Sequence, residues 1–141
     1  EPGKAIRAFN VYKRMIDQAK AGAPGAIRPD CISLNSVLNA CAFTNKRDET
    51  DRTAALNIAI KAFEFVTTSD PKYGSPNHIT YSTMLMMLNN LLPPDDYREG
   101  LAKNLFWRCC KGGHLSGFVM SQVFKTLSDV AVLELFGEAA A

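Results

Sequence analysis

Apolar residues recur along this chain at spacings of three and four, and alternation of the kind that marks strands is almost absent. Segment 10–19 lies in a stretch that sets Ala5, Ala8, Val11, Tyr12 and Met15 on one helical face. Segment 53–66 does the same with Ala55, Ala59, Ala62, Phe63 and Val66. The stops are Gly22-Ala23-Pro24-Gly25, Ser69-Asp70-Pro71, Pro93-Pro94 and Gly112-Gly113. The pattern predicts six or seven helices joined by short polar loops. Asp51 and Asp95 are expected to cap helix starts, because a carboxylate accepts from the free N–H groups of a first turn.

The helices repeat. Ile32, Leu34, Val37, Leu38 and Cys41 shift by 47 onto Ile79, Tyr81, Met84, Leu85 and Leu88. A further shift of 39 reaches Phe118, Met120, Val123, Phe124 and Leu127. Every position in the three sets is apolar. Arg28-Pro29-Asp30 precedes the first set and Ser75-Pro76-Asn77 the second. A second helix type runs Ala8, Val11, Tyr12, Met15; then Ala59, Ala62, Phe63, Val66; then Ala102, Leu105, Phe106, Cys109. A helix pair cannot bury its apolar stripe alone, whereas stacked pairs bury it between neighbours. The predicted architecture is all-α, an α-solenoid of stacked antiparallel helical hairpins with about three and a half repeats. Its units are the second helix of a truncated repeat (1–30), a repeat with loop insertions (31–77), a third repeat (78–116) and a partial fourth (117–141). The extra residues are assigned to loops, mainly 44–52 and 92–99 and after Val66. Leu38, Leu85, Ala59, Phe63, Ala102 and Phe106 are expected in the core.

Composition narrows the class. The chain has 141 residues, 47% hydrophobic and 21% charged, which excludes a disordered tail. No apolar run reaches the ~20 residues that span a bilayer, so no membrane partner is expected. A net charge of +2 is compatible with nucleic acid without arguing for it. The start, Glu1-Pro2-Gly3, carries no targeting pattern, and both ends fall inside repeats. Cys31, Cys41, Cys109 and Cys110 read as reduced thiols, since adjacent cysteines seldom suit a small disulfide framework.

The openings at 28–41 and 76–85, each a Pro-Asp or Pro-Asn followed by an aliphatic, a hydroxyl residue, an aromatic or Leu and a small polar residue, resemble the pentatricopeptide repeat family. The opening around Ser121 fits more weakly, and the units are longer than the family's usual one. The resemblance implies single-stranded RNA binding, one base per repeat. On it, Ile32 and Ile79 sandwich a base, Asn35 reads that base, and Asn77 is its partner at the repeat's end. Asn with Asn at these places implies a pyrimidine. Ser82, paired with Ser116, is the next reader, and Asp30 is the end partner of a unit whose reader would precede Glu1. The resemblance also implies work on an organellar transcript, in the mitochondrion or chloroplast. The family often sets a phosphate-facing Lys thirteen residues past the repeat end, where this chain has Phe43 and Asn90.

Other patterns point to little chemistry. Cys110 and His114 have helical metal spacing, but Gly112-Gly113 intervenes, so no metal is expected. No nucleophile, base and acid match by spacing, and there is no glycine-rich phosphate loop, so neither an enzyme nor a cofactor is expected. Asp48-Glu49 and Asp95-Asp96 read as solvated or capping charges. Trp107 is expected to face the adjacent repeat or the convex surface. The competing function is a protein-binding α-solenoid of the tetratricopeptide kind.

Overall fold

The structure is a computed structural model that describes residues 3–22, 24, 25, 30–45, 47–68 and 70–140. It is all-α: α1 (Lys4–Lys20), α2 (Cys31–Ala42), α3 (Glu49–Thr68), α4 (His78–Leu91), α5 (Asp96–Lys111), α6 (Gly117–Thr126) and α7 (Asp129–Ala140). No strand occurs among the described residues. Arg28 and Pro29 of the first lead-in, and Ala23 and Ser69 of the predicted stops, lie outside the described residues.

Caps fix the helix starts. Asp30 and Asn77 each accept from the N–H at the third position of the first turn, that of Ser33 and Thr80, and the Ser33 and Thr80 hydroxyls accept in return from the cap backbone. Ser116 caps α6 and Asp95 caps α5. Asp51 is not a cap. It sits in the first turn of α3, and its N–H donates to the Asp48 carboxylate at 3.1 Å, so the cap is Asp48. The helix therefore reaches back to Glu49 and takes up the last four residues of the 44–52 segment assigned to a loop. A 3-10 turn, Pro71–Tyr73, follows α3. Gly74 comes next at φ 107, and a Cβ there would meet the Asp30 backbone at 3.0 Å. Only glycine lets the lead-in to α4 lie against the start of α2.

The packing is regular. α2 packs on α4 and α4 on α6, while α2, α4 and α6 also touch α3, α5 and α7 respectively. The helices α2, α4 and α6 run parallel, because both of their ends meet. At the N-terminal ends Asn35 bonds Asn77 and His78 bonds Ser116. At the other ends Asn90 Nδ2 donates to the Ala42 carbonyl at 3.0 Å. Arg98 donates to the carbonyls of Leu92 (3.1 Å) and Thr126 (3.2 Å), placing a buried cation at two helix C-termini.

All six residues expected in the core are buried. Ala55, Ala59 and Ala62 let α3 lie close against its neighbours. Phe63 meets the Tyr81 ring edge-on at 5.6 Å, and the Arg108 guanidinium stands 4.7 Å over it. The repeat frame weakens at both ends. Phe124 shares the register of Leu38 and Leu85 yet is exposed, with the Phe136 ring 6.3 Å away. Val11 is exposed where its counterparts Ala62 and Leu105 are buried. Those counterparts lie in helices packed between others, whereas α1 stands first among the described helices and α6 has only α7 after it.

Candidate functional site

The N-terminal ends of α2, α4 and α6 form one face. Two residues past each cap stands a large apolar side chain: Ile32 (76% exposed), Ile79 (37%) and Phe118 (65%). Their helix mates Leu34, Leu38, Leu85 and Val123 are fully buried. Exposing one large apolar group costs little, but three at one register, on three parallel helices, make a patterned surface.

At the junction of α2 and α4, the helices that carry Ile32 and Ile79, lies a polar cluster. Asn35 Nδ2 donates to Asn77 Oδ1 at 3.3 Å and to Cys31 Sγ at 3.5 Å. Thr80, completely buried, donates its hydroxyl proton to Asn35 Oδ1 at 2.7 Å and accepts from the Asn77 N–H at 3.0 Å. The short bond fixes the Asn35 carbonyl. The two long bonds leave its NH₂ group the easier one to redirect towards a ligand.

The next junction differs. Its third position is Val119, fully buried, in place of Thr80. No hydrogen bond to the Ser82 side chain occurs among the described residues. His78 supplies the polar link instead, with Nδ1 3.2 Å from Ser116 Oγ and its ring stacked on Phe118 at 5.9 Å. Behind it, α5 ends in a Schellman turn in which the His114 N–H bonds the Cys109 carbonyl and the Gly113 N–H that of Cys110. The turn lays His114 over Tyr81, with ring centroids 5.8 Å apart.

Before the first junction, Asp30 spends its carboxylate on Ser33. Bonds from the Ser33 backbone and hydroxyl hold its carboxyl below the usual range. Tyr12 is buried nearby, its hydroxyl without a partner among the described residues. Burial first, then the negative potential of Cys31 and Asp30, pushes its phenol up to about 12.

The residues singled out in the sequence fall into two groups. Asn35 and Asn77 meet at the α2–α4 junction, Ile32 and Ile79 stand exposed on the same two helices, and Ser116 meets His78 rather than Ser82. Asp30 stands apart as a satisfied cap. Phe43 is exposed, and Asn90 is committed to the Ala42 carbonyl. Sequence reading assigned no role to Thr80, His78 or Arg98. Thr80 and His78 are flagged only by their places in the repeat register, and Arg98 by nothing. No group of three or more His, Cys, Asp or Glu side chains placed to hold a metal occurs among the described residues. Among the same residues, no helix is long and apolar enough to cross a membrane. No family model, curated protein or solved structure matches the chain.

Proposed function

We propose that the chain is part of an α-solenoid of pentatricopeptide-type hairpins that binds single-stranded RNA, one base per junction, without catalysis. The observation that carries this reading is the Asn35–Asn77 pair, 3.3 Å apart, on two helices that also carry the exposed Ile32 and Ile79. A base slid between the two isoleucines meets an NH₂ group whose carbonyl is already held by Thr80. That donor matches the O2 carbonyl of C and U. Phe118 extends the row by one place, so that a second base lies between Ile79 and Phe118, with Ser82 at its edge. An organellar transcript, in the mitochondrion or chloroplast, follows from the family resemblance alone.

The reading is tested by titrating isotope-labelled chain with short single-stranded RNAs. Resonances of Ile32, Asn35, Asn77, Ile79, Ser82 and Phe118 should move together, and duplex RNA should leave them in place. A second reading, a groove for a protein segment, has one observation in its favour: Phe43 and Asn90 occupy the places of phosphate-facing lysines. Movement of the same resonances with apolar peptides and not with RNA would decide for it.

A further inference from the structure

Each junction between α2, α4 and α6 is made of two unlike halves. One half is the face that a helix turns to the next. Asn35 of α2 reaches Thr80 of α4, and Leu38 stands one turn further on. Leu85 of α4 gives its carbonyl to the Thr126 hydroxyl of α6. The other half is the face that receives. Thr80 of α4 lies on it, and Thr83, one turn on, is buried. Among the described residues α4 has such a neighbour on both sides, whereas α2 and α6 each have only α4. The outer side of α6 is therefore an unused giving face, and that of α2 an unused receiving face. Phe124, in register with the buried Leu38 and Leu85, is exposed on the first. Ser36, in register with Thr83, is exposed on the second.

The two outer faces match in shape and charge. On α6 and α7 the rings of Phe124 and Phe136 stand together as a knob, 6.3 Å apart. Between α1 and α2 lies an apolar groove of about 330 Å³, walled by Ala8, Val11, Tyr12, Met15 and Val37, with Ser36 at its edge. Arg108 of α5 reaches back to Glu64 of α3. Arg14 of α1 has the register of Arg108 and makes no ion pair among the described residues. α7 carries Asp129, Glu134 and Glu138 and no basic residue. A row of stacked helices whose outer faces are apolar, with no polar cap, associates through them. We propose that the α6–α7 face of one copy docks, head to tail, in the α1–α2 groove of a second copy of this chain. Like faces do not suit one another: two α7 helices bring acid against acid, and two grooves leave both unfilled. A head-to-tail contact leaves one groove and one knob free, so further copies add on. The surface does not use Ile32, Ile79 or Phe118, and it stands whether or not the chain binds RNA.

The test is sedimentation equilibrium of the intact chain at rising concentration. The mean mass should grow past that of two chains. Val11→Asp spoils the groove alone, and Phe124→Asp the knob alone. Both side chains are exposed, and far-ultraviolet circular dichroism checks that each variant folds. Val11→Gln and Phe124→Gln stand in for an aspartate variant that does not. Each variant by itself should stay monomeric over the same range. Mixed in equal amounts, the two should form one-to-one pairs and nothing larger, because one sound groove meets one sound knob. An intact chain that stays monomeric throughout would overturn the proposal. So would a variant that still pairs with itself, or a mixture that forms no pairs.

Discussion

The side-chain nitrogen of Asn35 lies 3.3 Å from Oδ1 of Asn77, the cap of a different helix 42 residues further along the chain. Thr80 holds that pair together from beneath. Thr80→Val removes the proton donated to Asn35 Oδ1 and the acceptor of the Asn77 N–H. Two polar groups then lose their partners beside a buried site. The expected loss is about 1–3 kcal/mol of stability, read from the urea midpoint. A midpoint unchanged within error would mean the cluster is not formed in solution.

Phe63→Ala should cost about 3–5 kcal/mol, the range for emptying a buried aromatic site. The ring sits between Tyr81 and Arg108, so the variant also loses an aromatic and a cation–π contact. A loss below ~1 kcal/mol in chemical denaturation would show that the helix register is wrong.

The helix faces and starts are legible in the sequence because each obeys a short-range rule. Ala59, Phe63, Ala102 and Phe106 sit at spacings that face one side of a helix, and Asp30, Asn77 and Asp95 are residues that favour caps. Asp51 misleads because Asp48, three residues earlier, competes for the same role. The Asn35–Thr80 bond joins positions 45 apart, and no local pattern encodes it. The end effects at Val11 and Phe124 are equally hidden, since exposure there depends on which helix is adjacent. Arg98 is a surface residue by type, and only the meeting of two helix C-termini makes its burial tolerable.

Arg98→Lys tests that meeting. An ammonium keeps the charge but cannot fork to the carbonyls of both Leu92 and Thr126. The variant should lose about 1–3 kcal/mol in thermal or urea unfolding. Full stability would show that charge alone, and not the planar fork, joins α4 to α6.

Alkaline pH should unfold the chain through two buried acids. Burial pushes the Cys41 thiol up to about 12 from 9.0, and the Tyr12 phenol up to about 12 from 10.0. Both are neutral when protonated, and the unfolded state gives up its proton first. The stability tied to each is intact below the unfolded value and is lost as pH climbs from there towards the folded one. Stability should therefore fall between pH 9 and 12, and Cys41→Ala should flatten the Cys41 part of that fall. Over the same range a thiol reagent should label partly exposed Cys31 and Cys110 before buried Cys41 and Cys109. Early labelling of Cys41 would contradict its burial.

The central claim, that Asn35 reads a base between Ile32 and Ile79, is tested most directly by competition among single-stranded RNAs that differ at one nucleotide, at fixed salt. The unaltered chain should favour C or U at one position of the strand. Asn35→Ser, with Asn77 kept, should shift that position alone towards a purine by about 1 kcal/mol, the scale of one net hydrogen bond. Neighbouring positions should keep their preferences, because in a stacked-repeat protein each unit contacts mainly its neighbours. A preference that does not move, or an equal weakening at every position, would contradict the account and turn the α2–α4–α6 face into a docking surface for protein.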